Sequence, residues 1–461
     1  MAKASPKELG EKPIGSLLIK QSIPASIGIL AMSLNILVDS IFVGNWIGPT
    51  ALAAINVVLP VSFFIGAIGM AIGVGGSSVL SRALGAKDDT KALKTFGNQI
   101  SLTLLVCVSM VIFGLIFMES LIPAFGGLGA IYQPARVYYE VVLYGVPFLA
   151  FCMMGNTVIR AEGQPRHAMI AMIIPSIANL VLDVLFIYYL DLGMLGAAWA
   201  TTAGYFFCFA YVLFFFLKHS NLVPKKSDFS FDMAILKEMS SLSFVTLSRQ
   251  AISSVIYLIM NTLLFRLGAE ALIAVYAIIG RMLMFALFPV FGVTQGFLPI
   301  AGYNYGAKLY DRVRESITKA ILYASGVATL VFIFLFVFPA EIAALFLGSG
   351  DNLSQEAMDI RTMVIEKVPI AMRWVFGASP IIAIQLIGAG YFQAIGKVKP
   401  ALWLTLLRQG LLLMPLLFIL PPYLGEKGVW QSFFFADVLA TLITAYFLYR
   451  EITMNLSSVS K

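Results

Sequence analysis

MLGAAWATTAGYFFCFAYVLFFFL, residues 194–217, runs directly into KHSNLVPKKSDFSFDMAILKEMS, residues 218–240. The first string carries no charged side chain. At a helical rise of about 1.5 Å per residue it is long enough to cross a hydrocarbon core of about 30 Å. The second string breaks it with Lys218, Lys225, Lys226 and Lys237. Within it, Phe229, Phe231, Met233, Ile235 and Leu236 fit a short amphipathic linker lying in the membrane interface. It is the one polar interval near the middle of the chain, so it divides the apolar runs into two sets.

Apolar runs recur on both sides of this junction. The chain is 60% hydrophobic and 12% charged with a mean hydropathy of +0.90, well away from the balance of a soluble domain. Twelve spans are predicted, at 22–46, 50–80, 97–118, 138–158, 168–190, 194–217, 241–266, 270–300, 317–339, 365–392, 399–420 and 428–450. They must be helices, because lipid leaves backbone groups no other partner. The expected fold is an all-α integral membrane protein with two pseudo-symmetric six-helix lobes. Residues 1–21 form an N-terminal segment, 22–217 the N-lobe, 218–240 the linker, 241–450 the C-lobe and 451–461 a tail. The first apolar run follows Lys3, Lys7, Lys12 and Lys20 and extends to about Trp46, too long for a signal-peptide core. It is expected to stay as an anchor.

The net charge of +7 does not imply nucleic acid, because the 31 Lys and Arg lie in short clusters between apolar runs. Alternate loops place 22 of them on the side of the N-terminus and six on the other, with Arg249, Arg281 and Arg408 inside spans. By the positive-inside rule both termini are cytoplasmic, in a plasma-membrane protein. The longest outer loop, around residues 340–366, carries Glu341, Asp351, Glu356, Asp359 and Glu366. Cys107, Cys152 and Cys208 all sit in apolar segments without paired spacing, so neither a disulfide framework nor a zinc site is expected. The chain has no H-E-x-x-H, G-x-S-x-G or P-loop, and its two histidines, His167 and His219, fall in predicted cytoplasmic loops, so an enzyme is not expected.

A weak internal repeat supports the two lobes. At a shift of about 220 residues, Gly48 and Ala51 to Ala54 meet Gly268 and Ala271 to Ala274, and Leu84-Gly85-Ala86-Lys87 meets Tyr305-Gly306-Ala307-Lys308. At about 233, Pro147 meets Pro380, Ala161-Glu162-Gly163 meets Ala394-Ile395-Gly396, and Leu192-Gly193 approaches Leu424-Gly425. Two such copies, each with an even number of spans, suit a transporter that rocks about a central site. Gly66, Gly69 and Gly73 in the second span, and Gly292 and Gly296 with Pro289 and Pro299 in the eighth, fit either bending or close helix packing.

Ionised carboxylates deep in a membrane cost at least about 2.5 kcal/mol, so Asp39 and Asp183 call for a function. By helical rise they lie about 24 Å and about 21 Å from the cytoplasmic side, and Thr201 reaches a similar level. Asn35 and Asn179 sit one turn from them on the same helix faces. Such hard oxygen ligands suit Na+, and a desolvated carboxylate pair suits a proton equally well. Asp437 is a further intramembrane acid without an acidic companion, and the positions opposite Asp39 and Asp183 in the second half are Ile259 and Leu416. Coupling is therefore expected in the first lobe alone. Arg249, Arg281 and Arg408 fit anion binding, or inter-helix hydrogen bonding and snorkelling.

At Asp39-x-x-Phe42-Val43-Gly44, Asn179-x-x-x-Asp183 and Gln295-Gly296-x-x-Pro299-x-x-Gly302-x-Asn304-x-Gly306-Ala307, the chain resembles the multidrug and toxic compound extrusion family over essentially its full length. The resemblance implies a secondary antiporter that exports organic cations or amphipathic drugs against an Na+ or H+ gradient. No cofactor beyond the coupling ion, no nucleic acid and no obligatory protein partner are implied. It matches Asp39, Asn179, Asp183 and Thr201 to the first-lobe cation site of prokaryotic members. Asn35, Asn156, Arg281 and Gln295 are candidate residues of the substrate cavity. Another branch of the family carries acids in the seventh and tenth spans, and here those spans have no central acid. The rival reading is a flippase for a lipid-linked or anionic substrate, using the membrane arginines.

Overall fold

The computed structural model describes residues 6–342 and 355–456. Residues 343–354 of the predicted 340–366 loop, including Asp351, lie outside the described residues, and its last part, from Gln355, is already helical in Gln355–Phe376. Among those residues there are helices and no strands. Eleven helices are long and apolar enough to cross a membrane: Ile14–Trp46, Pro49–Gly85, Asp89–Ile116, Gly129–Ala161, Pro165–Tyr189, Gly193–Lys218, Met233–Leu267, Ala271–Gly306, Tyr310–Val337, Val398–Leu424 and Glu426–Leu456. A pair bent by 45°, Arg361–Phe376 and Ser379–Ala394, supplies the tenth span in chain order and brings the number to twelve. The all-helical membrane fold expected from the sequence is what the chain adopts. The first span starts earlier than predicted, since Ile14, Leu17 and Leu18 before it are buried.

The seventh and eighth spans belong to one helical stretch, Met233–Gly306. A straight helix would place Tyr257 and Tyr276 about 28 Å apart. Their rings are 5.9 Å apart, so the helix folds back on itself. Ile256, Met260 and Leu264 pack with Leu272, Val275 and Ile279 in one core.

By packing, the chain divides into two compact units. One is Met1–Leu247 with Gly302–Leu309; the other is Ser248–Ala301 with Tyr310–Lys461. The division falls inside the seventh and eighth spans, so the far ends of both pack with the first unit.

In the first unit the second and fourth spans cross closely. A methyl at Gly69 would lie 2.6 Å from Ala150 Cα, and one at Gly73 2.9 Å from Met154 Cα. Those glycines serve packing, and the second span runs unbroken from Pro49 to Gly85. The linker is held to the third span through its backbone. Asn98 Nδ2 donates to Ser230 O at 3.0 Å, Asp232 N donates to Asn98 Oδ1 at 2.9 Å, and Ser101 Oγ donates to Phe229 O at 2.9 Å. Phe229, Phe231 and Met233 are left exposed, as an interfacial segment requires, while Ile235 is buried.

The sequence repeat returns as a repeat of helix endings. Lys87 and Lys308 both take left-handed backbone (φ 58° and 59°), as do Gly163 and Gly396 (77° and 82°) and Gly193 and Gly425 (53° and 58°). The Lys87 amide donates to Leu84 O at 3.2 Å and the next amide to Ala83 O at 2.9 Å; at Lys308 the same two bonds run to Tyr305 O at 3.1 Å and Asn304 O at 2.9 Å. This pattern satisfies the last carbonyls of each helix. The two Gly-Ala-Lys turns also meet. A methyl at Gly85 would lie 2.0 Å from Tyr303 O, and one at Gly306 2.1 Å from Arg82 O. Asn304 Nδ2, buried beside them, donates to Leu9 O at 2.9 Å.

Backbone atoms at such distances cannot yield as a flexible side chain can. Gly85→Ala and Gly306→Ala are each expected to destabilise the protein by about 1–3 kcal/mol, read as a lower melting temperature in detergent. Gly326→Ala, where the added methyl meets open space, is expected to leave the melting temperature unchanged or to raise it by the equivalent of about 0.5–1 kcal/mol.

Candidate functional site

The first and fifth spans meet along a seam of polar side chains. Asn35 Nδ2 donates to Asn179 Oδ1 at 2.7 Å and to Ser176 O at 3.4 Å. One turn further on, the carboxyl groups of Asp39 and Asp183 are close enough to act on each other electrostatically. Asp183 is fully buried, Asn179 is buried and Asp39 is half-buried. Both carboxyl oxygens of Asp183, Oδ1 of Asp39 and Nδ2 of Asn179 are buried without a hydrogen-bond partner. Asp183 stands at the start of a π-helical turn, Val184–Tyr189, where the regular backbone ladder is interrupted.

Two bare carboxylates in this setting repel each other and have lost their water. The pair is chemically complete when it shares a proton or holds a small cation, and its unpartnered oxygens are the donor set that either would use.

Thr201 lies beside this cluster, with Oγ1 3.3 Å from the Tyr138 hydroxyl. Thr202 instead donates to Val141 O at 3.0 Å from a buried position. Tyr138 lies within electrostatic reach of Asp39 and Asp183, and Tyr205 within reach of Asp39. Sequence reasoning missed both tyrosines. The available signal was the four-residue spacing of Thr201 and Tyr205, which puts them on one helix face. Nothing local marked Tyr138.

Asn156 takes no part in the carboxyl cluster. Its Nδ2 donates to Ala168 O at 2.6 Å and its Oδ1 accepts from Arg160 Nε at 3.0 Å. Arg281 is exposed and Gln295 half-buried, both in the second unit. The two histidines sit at helix ends rather than in free loops: His167 in the first turn of the fifth span, His219 just after the sixth, their rings 5.2 Å apart. Apolar packing of Phe215 against both rings explains the difference.

In the second unit Asp437 has a basic companion. Arg408 Nη2 donates to Asp437 Oδ2 at 3.2 Å and Nε donates to Oδ1. The carboxylate is almost completely buried, and Arg408 lies in a π-helical turn, Leu407–Leu413. About 233 residues earlier the same places hold Pro175 and Gly204. There the backbones touch directly, a methyl at Gly204 lying 3.0 Å from Pro175 O. Each half thus closes the contact between its last two spans differently, by close approach in one and by an ion pair in the other.

A family model, MatE, matches residues 24–185 and 246–419, one stretch in each half. The chain belongs to the MatE family. It is similar to the multidrug export protein MepA of Staphylococcus aureus (strain N315), with 25% identity over 454 residues and 97% of each chain covered. Among solved structures, a MOP superfamily transporter from Pyrococcus furiosus, whose binding pocket of reverse polarity is said to suggest a different function, is 27% identical. It covers 100% of this chain and 99% of its own, with a TM-score of 0.89. A MATE in the bent conformation gives 26% identity, 99% coverage of both chains and a TM-score of 0.90. This MatE protein is a multi-pass membrane transporter, as the resemblance implied.

In this MatE chain the buried Arg408–Asp437 pair makes an asymmetric prediction. Asp437→Asn leaves a half-buried guanidinium uncompensated and is expected to cost about 3 kcal/mol, whereas the double variant Arg408→Met, Asp437→Met is expected to be near neutral or stabilising. Melting temperatures of the wild type and the two variants check both.

Proposed function

We propose that this protein is a secondary multidrug efflux antiporter of the plasma membrane, with both termini cytoplasmic, exporting organic cations or amphipathic compounds in exchange for Na+ or H+. The observation that carries the reading is the nearness of the Asp39 and Asp183 carboxyls, three of whose four oxygens are buried without a partner. Asn179 and Thr201 complete the site. The MepA relatives are named as multidrug exporters, which supports the substrate class.

Binding of the ion at Asp39 and Asp183 draws the first and fifth spans together along the Asn35–Asn179 seam. Pro24 inside the first span frees a carbonyl one turn earlier and weakens that helix against bending. Solved MATE structures include one in a bent and one in a straight conformation, in keeping with such a device. Exchange requires that ion and substrate prefer different conformations, since equal affinity for both would shift nothing. Arg408, one of the three arginines behind the flippase reading, is engaged by Asp437.

Purified protein in liposomes, tested for efflux of a fluorescent organic cation, checks the proposal. An Na+ gradient and a pH gradient are imposed separately. Efflux is expected to follow one of them and to fall roughly tenfold or more in Asp39→Asn and in Asp183→Asn. A double variant with wild-type rate and ion dependence overturns the site. A wild type that answers neither gradient favours the flippase.

A further inference from the structure

The seam between the first and fifth spans continues toward the end of the fourth span, where it meets an uncompensated charge. On the fifth span Asp183, Asn179, Ser176, Met172 and Ala168 follow one another at three- and four-residue spacing, so they share a face. On the first span Asp39, Asn35 and Gly28 run alongside. Asp39 meets Asp183, Asn35 meets Asn179 and Ser176 O, and a methyl at Gly28 would lie 2.7 Å from Met172 Sδ. Behind Met172 lies Arg160 of the fourth span, 4% exposed. Its Nε donates to Asn156 Oδ1 at 3.0 Å, its Nη2 lies 3.6 Å from Met172 Sδ, and its Nη1 is buried with no partner. No carboxylate among the described residues pairs with it. The acid nearest in sequence, Glu162, turns its carboxylate to Ser220 Oγ at 2.6 Å and Asn221 N at 2.8 Å.

A buried guanidinium normally finds a counter-ion, because leaving it unpaired is costly. An uncompensated positive charge is what a barrier to cations requires, and a single arginine in a narrow passage performs that task in other pores. We propose that Arg160 is an electrostatic plug. It stops an ion held at Asp39 and Asp183 from escaping to the cytoplasm along the seam, so that the ion crosses only with the conformational cycle. The inference rests on the ion-coupled reading above and adds the residue that keeps coupling tight. The plug lies about 16 Å along the fifth helix from Asp183, the rise between residues 172 and 183. Met172, folded over Nη2 against Gly28, covers it from the first span.

The test uses the full-length protein in liposomes with no substrate, so its outcome is separate from whether an organic cation is exported. Imposed Na+ and H+ gradients are followed in separate samples with a lumenal Na+ dye and a lumenal pH dye. Arg160→Gln is expected to leak one of the two ions about tenfold or more faster than the wild type, and Arg160→Lys, which keeps the charge, to stay near it. Asn156→Asp places a carboxylate against Arg160 at unchanged side-chain volume, giving up only the hydrogen bond to Ala168 O, and is expected to leak as Arg160→Gln does. Adding Asp183→Asn to Arg160→Gln is expected to abolish the leak, because the route passes through the ion site. A folded Arg160→Gln as tight as the wild type overturns the proposal. So does an equal leak in Arg160→Lys, which would make the residue a packing element, or a leak that survives Asp183→Asn. Should Arg160→Gln fail to fold, a tight Asn156→Asp overturns it alone.

Discussion

Lipid offers no hydrogen-bond partner, and each feature of this structure answers that constraint. The backbone answers it by forming spans whose amides are satisfied internally. Where spans must end, left-handed residues at Lys87, Gly163, Lys308 and Gly396 turn the last carbonyls toward following amides. Side chains at the helix ends do the rest. Glu162 gathers Ser220 and Asn221, and Glu451 accepts from Lys397 at 2.6 Å and from Tyr391 at 3.3 Å. Asn98 takes the amide of Asp232 and gives its own amide to Ser230. Polar atoms left without partners are therefore informative, and those around Asp183 on the fifth span and at Arg160 on the fourth are among them.

The two halves solve the same local problems with different side chains. Their turns share left-handed φ values and the same closing hydrogen bonds even where residue types differ, as with Leu84 against Tyr305. Their interiors diverge. The carboxyl pair of the first half faces Ile259 and Leu416 at the repeat positions of the second, while the Arg408–Asp437 pair of the second replaces the Pro175–Gly204 contact of the first. A duplicated scaffold can carry charge in one copy and neutrality in the other because backbone geometry, not side-chain charge, sets the helix endings.

Much of the fold was legible because hydropathy is a one-dimensional signal. Membrane length decides how many apolar residues a span needs, and charge between spans marks the turns. Boundaries were less legible: Ile14, Leu17 and Leu18 read as part of a basic N-terminal segment until their burial placed them in the first span. Gly69 and Gly73 were open between hinge and packing, and their contacts with Ala150 and Met154 settled on packing. Neither is periodic information, since both depend on which helix lies opposite.

By itself the sequence determined the membrane, the helices, the six-plus-six order and the residues too polar to lie in lipid without a reason, Asp39 and Asp183 among them. Each follows from local composition and from the transfer cost of single residues. Only the tertiary structure decided which polar groups meet: Asp39 with Asp183, Tyr138 with Thr201, Arg408 with Asp437, and Arg160 with no counter-ion among the described residues. Those pairings join residues from 29 to 144 positions apart, and the helix rotations that bring them face to face are set by packing. Spacing along one chain carries no record of them.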